Sequence, residues 1–207
     1  GRETSVRVAR YSEETVTRVG VVCQRDPDKE RPRGADLYEY AVVTDILKVL
    51  DLPDDDHAAL LRGHEKVRIV EVTDSTLIPG ALVAKVVPVH EPVPRAGNLE
   101  FDVLLQNIIA LSEEVLHAVY EHMLPYNPKE LGSPVETVNT IATNMPFPVE
   151  EKEAMLATPR MKQRAMLLLQ ALQRHKERLE VNAEIMKRAR RGMEENPKWA
   201  DHLRSGV

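Results

Sequence analysis

Seven histidines and one cysteine are the residues of this 207-residue chain that most readily ligate metals or move protons. Their spacing supports neither role. His64-Glu65 and His90-Glu91 begin like the His-Glu-x-x-His zinc helix, in which two imidazoles one turn apart meet the same ion. No second His follows either pair at that distance, so both read as solvated strand or turn residues. His117 and His122 are five residues apart, a spacing that does not bring them to one helix face. Cys23, in Val19-Gly-Val-Val-Cys-Gln24, has no partner for an intrachain disulfide and reads as a small buried hydrophobe of a reducing, cytoplasmic compartment. Neither the phosphate-cradling Gly-x-x-x-x-Gly-Lys loop nor the Gly-x-Ser-x-Gly nucleophile elbow occurs in the sequence. Carboxylates are plentiful, but no spacing pairs two of them in a pocket. The residue types therefore point to a binding or scaffolding module, with no catalytic, cofactor-binding or metal-ligating residue to nominate.

Binding chemistry is then left to apolar side chains. In Met145-Pro-Phe-Pro148 a Met and one of only two Phe residues are held between prolines, which offers adaptable apolar area at low ordering cost. The alternative is that Phe147 plugs a helical core, as scarce aromatics usually do. Trp199, the one tryptophan, lies in a polar terminal stretch. It is the third candidate contact, against the alternative of a disordered tail. Met145, Phe147 and Trp199 are thus the substrate-contacting candidates.

The elements that carry these residues change character along the chain. Up to Pro94, β-branched residues and turn signals dominate. A short helix is expected over Arg2 to Ser12, with strands over Arg18–Gln24, Tyr38–Leu50, Leu60–Val72 (broken at Gly63) and Leu82–His90. Short turns between them predict an antiparallel, partly closed sheet over residues 1–94. From Asn98 the apolar period becomes helical: Phe101, Leu104, Ile108, Leu111, Val115, Val119 and Met123 form one stripe. Ser133-Pro-Val-Glu136 has the form of a capping box, and a short helix is expected over Val149–Leu156. Thr158-Pro159 is expected to cap a much longer helix, which Gly192 weakens and Pro197 ends. The fold class is α+β: a β-rich domain over 1–94, then a helical bundle over 98–207 ending in a long projecting helix.

Charge is spread unevenly. The formal net charge is −5, yet residues 160–207 hold twelve Lys/Arg and six Asp/Glu, a local +6, which leaves −11 on the remainder. The basic cluster Lys187, Arg188, Arg190 and Arg191 admits a DNA contact, but the acidic total argues against a dedicated nucleic-acid binder. No apolar run reaches the length of a membrane span.

Several segments, in order, resemble the N-terminal region of Lon-type ATP-dependent proteases. Gly1-Arg-Glu-Thr-Ser-Val6 is similar to that family's entry to its first helix, and Val21-Val-Cys-Gln24 to the strand ending in Gln. Asp36-Leu-Tyr38, Val43-Thr-Asp-Ile46 with Leu52-Pro-Asp54, and Gly63-His-Glu-Lys-Val-Arg-Ile69 resemble the central strands. Pro146-Phe-Pro-Val-Glu-Glu-Lys152, Met155-Leu156 and Arg178-Leu-Glu-Val-Asn-Ala-Glu-Ile185 resemble the helical region. Three departures stand out. The strand usual before Gly-Arg is absent, the usual Gly is Ala41, and Pro197-Lys-Trp-Ala-Asp-His-Leu interrupts the run toward the ATPase. The chain is therefore expected to be an excised piece. The resemblance implies a non-catalytic, substrate-engaging region of a hexameric ring that takes unfolded or degron-bearing proteins. ATP, Mg²⁺ and a Ser-Lys dyad would belong to the parent protein. A stand-alone or cereblon-like protein-binding module without an ATPase is the alternative.

Overall fold

The computed structural model describes residues 3–53, 56–120 and 126–195. Helix α1 (Glu3–Thr15) precedes strands β1 (Val19–Val21), β2 (Tyr40–Asp51), β3 (His57–Asp74) and β4 (Leu82–Pro88). Helices α2 (Leu99–Val119), α3 (Pro134–Asn144), α4 (Val149–Ala157) and α5 (Met161–Glu195) follow. The strands form one antiparallel sheet ordered β1-β2-β3-β4, as the period-two pattern and short turns require.

The sheet is bent by three register shifts. His64 is the extra residue between the pairs Val43–Glu65 and Thr44–Gly63, so the expected break at Gly63 is a bulge inside one continuous strand. Leu47 is the extra residue in β2, and Val70 is a second one in β3. Beyond the short β1, Gln24 makes an isolated bridge to Leu37. The turn into β4 passes through Gly80 at φ +81, where a side chain would be strained.

The chain divides into two compact units, Gly1–Pro92 with Pro148–Arg160, and Val93–Phe147 with Met161–Val207. The first boundary falls where the period changes. The second corrects the expected division into 1–94 and 98–207, because α4 belongs to the sheet unit. Its attachment is chemical. Lys66 Nζ, from β3, donates to the carbonyls of Leu156 and Thr158 at the α4 C-terminus (2.8 and 3.4 Å) and pairs with Glu91 Oε1 at 2.9 Å. A cation is favoured at that end of a helix. Thr158 also departs from expectation. Its hydroxyl donates to Ala154 O (2.9 Å), so it closes α4, and α5 starts at Met161.

In the helical unit Phe101, Leu104, Ile108, Val115, Val138, Ile141, Leu168 and Leu172 are buried, which is the apolar stripe of α2 meeting those of α3 and α5. Asn98 Oδ1 accepts from Phe101 N (3.0 Å) to cap α2. Ser133 Oγ caps α3 through Glu136 N (3.1 Å), while the Glu136 carboxylate reaches back to Gly132 N (3.1 Å), one residue beyond a standard capping box. Lys162–Glu100 and Lys176–Glu114 pair α5 with α2 at 2.6 Å. From Glu180 to Arg191 every residue of α5 is exposed.

Candidate functional site

Two of the three apolar candidates lie in the core of the helical unit. Met145 is 1 % exposed and Phe147 is 8 % exposed. The Phe147 ring meets His175 edge-on, with centroids 6.0 Å apart and planes at 81°, and Arg178 contacts His175 Nδ1 at 2.7 Å. The expectation of an accessible Met145–Phe147 surface is therefore corrected. The prolines hold the connection so that its two large side chains turn inward, where burying a Phe is favourable by a few kcal/mol. Trp199 lies outside the described residues.

The titratable residues take structural roles. His64 Nε2 meets Asp45 Oδ2, and Arg18 Nε joins the same carboxylate at 3.3 Å. His57 Nδ1 meets Asp51 Oδ1 at 2.8 Å, with Arg10 on the same oxygen. These contacts, the histidine hydrogen bonds foremost, hold Asp45 and Asp51 below the usual carboxylate range. Cys23 is not the buried hydrophobe expected but an exposed residue. Desolvation of its thiol, with hydrogen bonding and charge from Glu153, raises its pKa to about 11. At neutral pH it is protonated and a poor nucleophile. Among the described residues, no three His, Cys, Asp or Glu side chains are grouped to hold a metal ion.

What the structure does present is apolar area on the sheet unit. Cross-strand pairing puts Leu50 opposite Ala58 and Lys48 opposite Leu60, so these four share one face near the β2–β3 hairpin. Leu60 is 57 % exposed, and Leu50 and Leu52 are also exposed. Val70, pushed out by its bulge, is 58 % exposed, and Val83, Val86 and Val87 of β4 add to the surface. A cleft of about 360 Å³ opens where residues 34–39 part from β3. Leu37, Tyr38, Ile69 and Val72 line it, and the Arg25 guanidinium lies 4.8 Å over the Tyr38 ring. Shallow apolar area held by hydrogen-bonded strands suits contact with exposed apolar side chains.

The pattern of the ATP-dependent protease La (LON) substrate-binding domain family matches residues 1–174. The chain belongs to this family. It is 30 % identical over 205 residues to the Lon protease of Porphyromonas gingivalis, covering 96 % of this chain and 24 % of that protein. With Lon protease 2 of Myxococcus xanthus the identity is 31 % over 189 residues, covering 89 % of this chain and 22 % of the relative. The chain thus spans about a quarter of the length of these curated relatives. The fold is that of a solved N-terminal domain of Mycobacterium avium complex Lon protease, with a TM-score of 0.59, 19 % identity, and coverage of 82 % of this chain and 83 % of that one. A Lon N-terminal domain protein from Xanthomonas campestris aligns with a TM-score of 0.53 at 16 % identity, covering 82 % and 84 % of the two chains.

Within this Lon substrate-binding domain, sequence reasoning missed the sheet surface. A signal was present: Leu82-Val-Ala-Lys-Val-Val-Pro88 is apolar at both parities, which a strand with one solvated face would not be. Lys187, Arg188, Arg190 and Arg191 of α5 are exposed, and Arg188 is tied to Glu184 at 3.0 Å. Among the described residues, no helix is long and apolar enough to cross a membrane.

Proposed function

We propose that this chain recognises substrates and supports assembly in an ATP-dependent serine protease that degrades misfolded and degron-bearing proteins. The region itself is non-catalytic. Its partners are unfolded or degron-bearing polypeptides and, in the parent, further copies in a hexameric ring. ATP, Mg²⁺ and the Ser-Lys dyad act in the rest of that cytoplasmic protein.

The observation that carries this reading is exposed apolar side chains on a hydrogen-bonded sheet, Leu50 and Leu60 together at the β2–β3 hairpin and Val70 and Val83 further along β3 and β4, in a chain of the Lon substrate-binding family. Unfolded segments have exposed apolar side chains in common and little else, so a domain that accepts many of them gains by offering apolar area in place of a shaped polar pocket. Contact of this kind is weak for one copy and is raised by multivalency when copies are held in one assembly.

The test compares the unfolded and folded forms of one labelled polypeptide in titrations with this chain. Binding of the unfolded form with a Kd of about 1 µM or weaker, roughly −8 kcal/mol or less favourable, supports the reading. Moderate salt should change it little, because screening acts on charges. Equal affinity for both forms, or none for either, contradicts it. Binding that collapses with salt moves the contact to Lys187, Arg188, Arg190 and Arg191.

A further inference from the structure

Leu50, Ala58, Leu60 and Lys48 share one face of the β2–β3 hairpin, and Arg62 extends it. Residues 57–63 of β3 run without a bulge, so the side chains at 58, 60 and 62 lie on the same side, about 7 Å apart. Leu60 thus has one cation across the ladder, Lys48, and another two residues along its own strand, Arg62, all three exposed. The other face of the hairpin is the one fastened to α1. There Val49 N donates to Glu13 Oε1 (3.3 Å), and Arg10 pairs with Asp51. Only the later turns of α1 reach the hairpin. Its first turns lie at the opposite end of β3, where Arg7 donates to Pro79 O (2.9 Å).

The two cations beside Leu60 differ from the others on the strands. Lys66 pairs with Glu91, Arg68 with Glu39 and Lys85 with Glu71. Lys48 and Arg62 make no side-chain ion pair or hydrogen bond among the described residues. The strand carboxylates closest in register are engaged elsewhere. Asp45, directly opposite Arg62, is held by His64 Nε2 and by Arg18 Nε (3.3 Å). Asp51 is held by Arg10 and by His57 Nδ1 (2.8 Å). Glu65 lies past the bulge at His64 and pairs with neither cation. Two exposed leucines bordered by two uncommitted cations are complementary to a ligand that carries apolar groups and carboxylates together.

We infer that this face of the hairpin binds polypeptide segments in which acidic side chains alternate with apolar ones, Lys48 and Arg62 taking the carboxylates and Leu50 and Leu60 the apolar groups. The inference rests on the function proposed above and specifies its substrate class. In an extended segment every second side chain lies on one side, about 7 Å from the next, which is the spacing of Leu60 and Arg62 on β3. The apolar contact supplies a base affinity for any unfolded segment, and the cations add a preference among segments.

The test titrates labelled peptides of repeating Leu-Ser-Glu-Ser, Leu-Ser-Gln-Ser and Ser-Ser-Glu-Ser into the 207-residue chain at low and high salt. The same titrations are made with Lys48→Gln/Arg62→Gln, the charge-keeping Lys48→Arg/Arg62→Lys, and Lys187→Gln/Arg188→Gln on α5. All four positions are exposed, so the variants should melt with wild type. Wild type at low salt should bind the Leu-Ser-Glu-Ser peptide about fivefold tighter than the Leu-Ser-Gln-Ser peptide, as two solvent-exposed ion pairs allow. High salt should narrow that ratio and leave the leucine-dependent binding in place. The ratio should fall to about one in Lys48→Gln/Arg62→Gln and persist in the other two variants. Equal wild-type affinity for the Glu and Gln peptides overturns the inference and leaves the proposed function standing. A ratio lost in Lys187→Gln/Arg188→Gln and kept in Lys48→Gln/Arg62→Gln puts the carboxylates on α5 and overturns it as well. So does binding of the leucine-free peptide as tight as that of Leu-Ser-Glu-Ser, which is simple ion exchange. If no peptide binds, the inference fails, and the titration of unfolded and folded polypeptide described above decides the proposed function separately.

Discussion

The ammonium of Lys66, on β3, lies 2.8 Å from the carbonyl oxygen of Leu156, at the end of α4. Ninety residues separate them in sequence, and the bond fastens a helix from the later part of the chain to the sheet of the earlier part. Tyr40 stands beside the ammonium, its ring centroid 5.7 Å away, and Glu91 supplies the countercharge. The Lys66 side chain is 3 % exposed, so these partners replace the water it has lost.

Lys66→Met should therefore cost about 2–4 kcal/mol. The loss is that of hydrogen bonds to a charged group, tempered because Glu91 is partly exposed and can be rehydrated. Chemical denaturation measures the cost. Amide exchange should show the largest acceleration in α4, and uniform acceleration over the chain would contradict a local fastening.

Phe147→Ser should unfold the helical unit and leave no folded variant in which binding can be measured. Loss of a buried Phe costs about 3–5 kcal/mol, and Phe147 packs against His175. Leu104→Ala, Ile108→Ala and Leu172→Ala should each cost about 2–5 kcal/mol, since all three are buried. A change below about 0.5 kcal/mol in urea denaturation would be a surface value and would contradict the packing.

Val16 has φ +54 just beyond the end of α1 and is almost fully exposed. A β-branched residue is strained there, and no packing opposes a smaller one. Val16→Gly should raise stability by about 0.5–1 kcal/mol, the relief of strain exceeding the added freedom of the unfolded chain. A lower melting temperature would contradict this.

Acid should weaken the β2–β3 region selectively. The Asp45 and Asp51 carboxyls titrate below their usual value because of His64 and His57 first, and Arg18 and Arg10 second. A depressed carboxyl stabilises the fold above its unfolded pKa of about 3.9 and loses that contribution as pH falls through its lower folded value. Stability should thus decline below about pH 4. Asp45→Asn should flatten that decline, and an unchanged acid profile in the variant would contradict the assignment.

The sequence foretold elements whose periodicity is enforced by burial. The stripe Phe101–Leu104–Ile108–Val115 predicted α2 because each of those residues is buried, and Ser133 announced α3 through a cap that formed with Glu136. Gly63 suggested a break, but a bulge at His64 absorbs the irregularity without ending the strand. The affiliation of α4 was not legible, because it depends on one lysine ninety residues earlier finding two carbonyls. The candidate site was misjudged for a related reason. A Met and a Phe between prolines look the same in sequence whether they face solvent or a core, whereas the exposure of Leu60 and Val83 follows from which strands have neighbours.

The central claim is that the exposed apolar surface of the sheet unit, at the β2–β3 hairpin above all, engages unfolded polypeptides. Its most direct test is the affinity of a labelled unfolded polypeptide for wild type and for Leu50→Asp/Leu60→Asp, two exposed neighbours on one face of the hairpin. Thermal melts of the two proteins should agree, because neither side chain contributes to the core. The account predicts affinity at least about tenfold weaker in the variant, two apolar contacts having been replaced by charges. Equal affinity in a variant that melts with wild type would contradict it.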